Sequence, residues 1–409
     1  MQRRSFLKHA GLGAVATGAA VSAPAFAQDM PSLSWRLSSA FPAALDLRIG
    51  AGEHFCKIVS EATGGKFNIR HYPEGEIAPA SDLLEAVSTN KVECGHGSSR
   101  FLFAKNPAFC FDAAVPFGLN ARQMNAWMNE GDGLRLTREL FKPEKIINFP
   151  LGNTGAQMGG WYTREIKRLA DLKDLKMRVG GLAADVLGRM GVAPQPADPA
   201  KPLAEAFEKG GLQAVAGAGA YDDDKLGLNK VAKYYYAPGW WAAGEQLSLY
   251  INDEAWNKLP KHYQAVVQAA ALAAHVSLTA RYDARNPAAL AQLTANGTQV
   301  RAFPRSIMDV AFETTQQAYQ DLAAKDPKFK AIYDSYMGFR DSEMPWFRLT
   351  ENAYDQYLGV ALSGRAARAM PAMMAGSDSR CEEAGRFIPI ERWTMLIESS
   401  TDVLWMPLR

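Results

Sequence analysis

Cysteine is scarce in this sequence: Cys56, Cys94, Cys110 and Cys381 are the only four in 409 residues. None falls in a Cys-x-x-Cys pair, and no spacing suits a zinc site. An oxidising compartment would permit a disulfide, but single buried thiols are the plainer expectation. Catalytic signatures are missing too. There is no Gly-x-x-x-x-Gly-Lys-Ser/Thr phosphate loop, no Gly-x-Ser-x-Gly elbow and no His-Glu-x-x-His. Beyond residue 27 the histidines are His54, His71, His96, His262 and His275, never three or four apart. No later run reaches the ~18 uninterrupted apolar residues of a spanning helix. An excess of one charge is also lacking, with 45 basic residues against 43 acidic. That balance argues against nucleic acid or an anionic membrane surface as the main partner.

What is present begins with an address. Arg3 and Arg4 precede Ser5, Phe6, Leu7 and Lys8. A weakly apolar stretch covers 10–21, and Ala25-Phe26-Ala27 is a small-x-small cleavage site. That order marks residues 1–27 as a signal peptide, with Gln28 beginning a mature periplasmic chain. The arginine pair favours the twin-arginine route. Removing Arg3, Arg4 and Lys8 leaves the mature chain near neutral.

The mature part alternates short strand patterns with helical ones. Strands are expected at 34–38, 67–72 and 92–96, and helices at 47–63 and 82–90, the latter capped by Ser81. The middle repeats this, with strands at 158–163, 176–179, 212–215 and 245–251. Helices are expected there at 169–172, 182–190 and 200–209. Asp253 is placed to cap a long helix over 254–281, and another long pattern runs 307–322. Strands separated by helices predict an α/β fold with parallel-rich sheets. Two α/β lobes with long helices predict a bilobed clamp holding ligand between them. One lobe is expected from 30–153 plus 236–285, the other with connecting helices from 154–235 plus 286–360. Residues 361–409 form an atypical tail containing Met370, Met373 and Met374.

Two motifs carry weak chemical signals. His96 in Gly95-His96-Gly97-Ser98-Ser99 invites a nucleophile hypothesis, although a strand-end histidine is commoner. Gly180-Gly181 before a helix could turn amides toward an anion, but strand-to-helix turns use glycine for its backbone freedom anyway.

Several longer runs are more specific. They are Gly152-Asn153-Thr154-Gly155-Ala156-Gln157-Met158-Gly159-Gly160-Trp161 and Leu172-Lys173-Asp174-Leu175-Lys176-Met177-Arg178-Val179-Gly180-Gly181. Tyr221-Asp222-Asp223-Asp224, Tyr234-Tyr235-Tyr236-Ala237-Pro238-Gly239-Trp240-Trp241 and Val115-Pro116-Phe117-Gly118-Leu119-Asn120 complete the set. Together, over roughly 33–360, they resemble the DctP-type solute receptors of tripartite ATP-independent periplasmic (TRAP) transporters, in the branch that binds 2-oxo acids and monocarboxylates. The resemblance implies a bilobed α/β periplasmic binding protein, with crossing strands and a long helix, that closes over its ligand. It implies no enzyme. The partners implied are a small carboxylate and the integral-membrane subunits, and the reading admits a homodimer. In this branch an arginine at the position of Arg178 pairs with the ligand carboxylate, and Gln157 matches a glutamine that helps hold a cation, sodium or calcium. Asn252 sits where the family tends to carry asparagine, as a ligand contact or a helix cap.

The sequence departs from that branch where the cation is held. Glu-Trp before Tyr-Asp-Asp is replaced by Ala216 and Gly217, and a second acid after the tryptophan pair by Ala242, with Glu245 three residues on. Arg100 stands where tyrosine is usual. Since sodium and calcium need several oxygen ligands, a metal-free and more positive site is expected, able to take a dicarboxylate or bulkier acid. Two rivals follow from the same residues. One is a receptor that has lost solute and binds a protein. The other is a twin-arginine-exported oxidoreductase, which would need a cofactor motif the sequence lacks.

Overall fold

The computed structural model describes residues 30–195, 203–208 and 210–362. The leader, the tail from 363 with Cys381, and part of the helix expected at 200–209 lie outside them. The strands of the described residues are β1 (Leu33–Ser39), β2 (Phe67–Tyr72), β3 (Cys94–Gly97), β4 (Ile146–Asn153), β5 (Trp161–Tyr162) and β6 (Lys176–Arg178), followed by β7 (Ala193–Gln195), β8 (Ala214–Val215), β9 (Tyr234–Ala237), β10 (Gln246–Asn252) and β11 (Gln299–Ala302). They make a five-stranded sheet ordered β2-β1-β3-β10-β4 and a six-stranded sheet ordered β11-β9-β5-β8-β6-β7.

Alternation sets the first sheet's core. Trp35, Leu37, Phe67 and Ile69 point to one face, where they meet Phe55 and Val59 of the helix Asp46–Ala62 and Tyr263 and Val267 of the helix Lys261–Ala295. Parallel-rich sheets were the expectation, and β1 does run parallel to β2 and β3. Both sheets are nevertheless mixed. In the first, β10 runs antiparallel to β3 and β4. In the second, β5 opposes β8 and β9. The first reversal follows from the path of the chain: β4 carries it out to the second sheet and β10 brings it back, so these neighbours run in opposite directions.

The outgoing segment 154–160 and the returning segment 238–245 pair along the crossing. Thr154 N donates to Glu245 O at 2.9 Å, Gln157 N to Ala242 O at 3.1 Å, and Gly239 N to Gln157 O at 2.9 Å. This irregular ribbon, with the helix Lys261–Ala295, joins the two sheets.

Three local expectations are corrected. The strand expected at 158–163 is regular only at Trp161–Tyr162, although Gly159 N still donates to Tyr236 O at 2.7 Å and Tyr236 N to Gly160 O at 2.9 Å. Gly160 has φ +85°, and a Cβ at Gly159 would come within 2.3 Å of Phe303. Those glycines therefore leave the regular strand and lead into the crossing while still bonded to β9. Ser81 does not cap a helix. It lies inside the turn Ala80–Asp82 and donates to Asp82 at 2.7 Å. The single helix expected from Asp253 is two. Asn252 caps Asp253–Lys258, and Pro260, which has no N–H to donate, precedes Lys261–Ala295. The second helix runs past Pro287 and stops before Gly297, whose φ is +94°. Cys56, Cys94 and Cys110 are buried and free, as expected.

Asp112 is fully buried behind the first sheet. Its carboxylate accepts from Asn148 Nδ2 at 2.9 Å and from the Tyr250 hydroxyl at 3.3 Å. Burial pushes it up to about 7, against a usual 3.8, despite those hydrogen bonds. Between these values the folded chain binds the proton more tightly than the unfolded one, so stability falls as pH rises. Asp223, raised to about 6 mainly by burial, acts in the same direction. Asp112→Asn is therefore expected to gain about 2–3 kcal/mol relative to wild type between about pH 5 and pH 8 in urea unfolding. Parallel curves for the two proteins would show that Asp112 is ionised when folded.

Candidate functional site

Glu245 closes the crossing ribbon just before β10 and is fully buried. A buried carboxylate needs several partners, and three converge on it. Ser98 donates to Oε1 at 2.7 Å, Gln157 Nε2 donates to Oε2 at 2.8 Å, and Arg100 Nε stands 3.1 Å from Oε1. Burial pushes Glu245 upward. The charge of Arg100, then that of Arg48, and the bonds from Ser98 and Gln157 outweigh it, so Glu245 titrates below its ordinary value. Gln157 also donates to Thr154 Oγ1 at 3.2 Å. Its Oε1 is buried without a partner.

Arg100 belongs to the turn Ser99–Leu102, which follows β3 of the first sheet. Arg178 ends β6 of the second. Arg178 is half-buried, and its guanidinium makes no hydrogen bond or ion pair with the described residues. Burial holds it below the usual arginine value, helped by the Arg100 charge and opposed by Glu74. The two arms approach each other across the gap between sheets. A Cβ at Gly181, where φ is +65°, would lie 3.5 Å from the Arg100 carbonyl oxygen. Gly180 caps the helix Gly181–Arg189 without a side-chain bond, which leaves that helix start open beside Arg178.

Of the four ligand contacts expected from sequence, the structure gathers Arg178, Arg100 and Gln157. Asn252 is elsewhere, at the far end of β10, about 23 Å of extended chain from Glu245. Its Oδ1 accepts from Ala255 N at 3.0 Å, and its Nδ2 donates to Val87 O at 3.0 Å. It serves as the helix cap.

Ala216 N donates to Arg178 O at 2.9 Å, so the missing acid would have stood beside that arginine. A Cβ at Gly217 would lie 2.2 Å from Asp223 Oδ2. Asp223 is fixed there by Trp161 Nε1 at 3.0 Å and the Tyr235 hydroxyl at 2.6 Å, which bars an indole at 217. His96 is a core residue. It is fully buried, edge-on to Phe41, and pushed down to about 3 by burial, then by His71 and Arg48.

Sequence reasoning missed a second ion pair. Arg48 Nε donates to Asp222 Oδ2 at 3.0 Å with both side chains almost wholly buried, and the Tyr282 hydroxyl donates to the same oxygen at 2.8 Å. It ties the helix Asp46–Ala62 of the first sheet to the helix Ala220–Lys225 near the second. Nothing in the spacing of Arg48 and Asp222, 174 residues apart, announces it.

A sodium or calcium ion needs about six or more oxygens. Gln157 Oε1 could supply one. Both Glu245 oxygens are already engaged, Ala216 and Ala242 supply no side-chain oxygen, and the described residues hold no metal-binding group of three or more His, Cys, Asp or Glu. The residues present do not fit such an ion.

Two sheets joined by a crossing ribbon, with an unpaired guanidinium at the gap between them, give the architecture of a bilobed solute receptor. Residues 39–326 match the DctP family model, bacterial extracellular solute-binding protein, family 7, and the chain belongs to that family of non-catalytic transport receptors. It is 40% identical over 362 residues to a monocarboxylate 2-oxoacid-binding periplasmic protein of Nostoc sp., covering 87% of this chain and 99% of that one. A TRAP transporter solute-binding protein of Bordetella bronchiseptica is 45% identical with a TM-score of 0.79, covering 83% of this chain and 99% of the other. Its crystal structure is a dimer with calcium and picolinate in one of its sites. A counterpart from Pseudoalteromonas atlantica, 28% identical with a TM-score of 0.77 over 80% of this chain and 99% of that one, holds sodium and pyruvate. The family membership excludes the oxidoreductase rival.

Removing one partner of the buried pair strands the other's charge. Asp222→Ala should cost about 3–5 kcal/mol of stability, and Arg48→Met with Asp222→Leu considerably less. Equal losses in chemical denaturation would contradict a buried ion pair.

Proposed function

We propose that this chain captures a small organic carboxylate, of the 2-oxo acid and monocarboxylate kind, and delivers it to the membrane subunits of a TRAP transporter. The observation that carries this is the half-buried, unpaired guanidinium of Arg178 at the gap between the sheets. A planar guanidinium holds a carboxylate with two parallel hydrogen bonds. The open helix start at Gly181 adds amide donors to the same space. Ligand enters while the lobes, 30–153 plus 236–285 and 154–235 plus 286–360, stand apart. Contacts made from both sides then favour the closed form, which the membrane subunits recognise. The acid shifts that equilibrium only by binding the closed state better. Residues 1–27 serve as a twin-arginine signal cleaved after Ala27, releasing the receptor into the periplasm.

The kinship to 2-oxo acid receptors supports the ligand class. Thermal unfolding of residues 28–409 against 2-oxo acids, hydroxy acids and dicarboxylates tests it. A true ligand at about 100 times its dissociation constant should add about 2.7 kcal/mol, and Arg178→Ala should lose that gain. No stabilisation by any acid would sink the proposal, as would full binding by the variant.

A homodimer is the second part of the proposal. Trp346, Leu349, Tyr354, Tyr357 and Val360 are exposed along the helical stretch 346–362. So extensive an apolar face suits a partner surface, and a second copy is the partner a dimeric relative suggests. Sedimentation should give twice the chain mass, and Tyr357→Glu with Leu349→Glu should halve it. A wild-type monomer at micromolar concentration would refute the dimer.

A further inference from the structure

The Bordetella and Pseudoalteromonas proteins hold their acids with calcium or sodium, and the residues of this chain do not fit such an ion. We infer that the guanidinium of Arg100 takes the ion's place as a built-in cation, so that the acid binds without metal. This rests on the receptor reading above.

A carboxylate as deeply buried as that of Glu245 keeps its charge only beside a positive one. Arg100 provides it at 3.1 Å from Oε1. Ser98 and Gln157 occupy further lone pairs on the same carboxylate. An ion entering here would have to displace a charged partner, and a guanidinium so close would repel it. The positions that could have added carboxylates are Ala216 and Ala242. Gly217 cannot take a side chain without striking Asp223.

Arg100 can also do what the ion would do for a ligand. Its side chain is 38% exposed while Glu245 is 1% exposed, so the guanidinium spans from the core to the gap. Its Nε lies on Glu245, and its terminal nitrogens make no hydrogen bond among the described residues. Arg178 lies near enough for the two charges to act on each other. One guanidinium can take the carboxylate while the other donates to a second oxygen. The ligand class is thus a carboxylate carrying a second oxygen acceptor, either a 2-oxo group or another carboxylate. The orphaned Oε1 of Gln157 remains as an acceptor for a donor on ligand or water.

The test uses the mature protein and calcium or sodium alone. Purified without chelator, it should contain well under one calcium per chain by elemental analysis, and about 1 mM calcium should not move its unfolding temperature. Arg100→Gln leaves Glu245 without its cation, so calcium should now raise the unfolding temperature of that variant, while Arg100→Lys, which keeps the charge, should stay indifferent to calcium. For an acid that binds, the dissociation constant should change less than about two-fold on chelation and sodium removal. Stoichiometric calcium in the wild type, or a ten-fold loss of affinity on chelation, would overturn the inference. If Arg100→Gln does not fold, the wild-type metal measurements still decide. The calcium experiments need no acid, so they test this inference even where every acid fails and the receptor reading falls.

Discussion

A single ionised carboxylate, wholly removed from water, organises the middle of this molecule. Glu245 lies at the seam where the returning chain rejoins the first sheet, and it draws in Ser98 from the end of β3, Gln157 from the outgoing segment and Arg100 from the turn after Ser98. Left alone, a charge in that position would cost several kcal/mol. The surrounding donors offset that cost and in doing so fix three separate stretches of chain relative to one another. The orientation of Arg100 toward the gap is a by-product of that arrangement. The guanidinium is anchored at one end, and its terminal N–H groups are held out for something else to accept.

The second buried pair does a different job. Arg48 and Asp222 join elements of the two sheets, with Tyr282 of the connecting helix bonded to both. Such a pair adds little net stability over well-packed apolar groups, yet breaking it is expensive. That asymmetry suits a joint, because it defines which surfaces meet. Nearby, Asp223 clamps the stacked Trp161 and Tyr235 rings. Asp222 and Asp223 of the Tyr-Asp-Asp-Asp run therefore form a structural junction, both buried against partners.

Much of the architecture was legible because it rests on local rules. Alternation over 33–39 and 67–72, the helical period over 46–62 and the glycine stop at Gly64-Gly65 each act within a few residues. The errors fall where distant chain decides. β5 is short because the left-handed Gly160 turns the chain just before it, and the direction of β10 depends on where the chain comes back from. The break at Pro260 was local and could have been read from the missing amide. In the site, Arg178 and Gln157 stand out through family resemblance, Arg100 as a departure from it, and Glu245 only by its place three residues past Ala242. Its role depends on Ser98 and Arg100, some 147 residues away in the case of Ser98, a distance no spacing rule covers. Asn252 was misleading because one side chain type serves both caps and ligands, and here both of its polar atoms are consumed by the cap.

What lies between Arg178 and Glu245 when ligand is bound decides between a metal-free site and a metal-bridged one. A crystal structure of the mature protein with a 2-oxo acid, at a resolution that distinguishes water from calcium, would show it. The account requires the acid's carboxylate on Arg178, the terminal nitrogens of Arg100 on its second oxygen, and no metal beside Glu245. A metal ion bridging Glu245 and the acid, with Arg100 turned out to solvent, would contradict it.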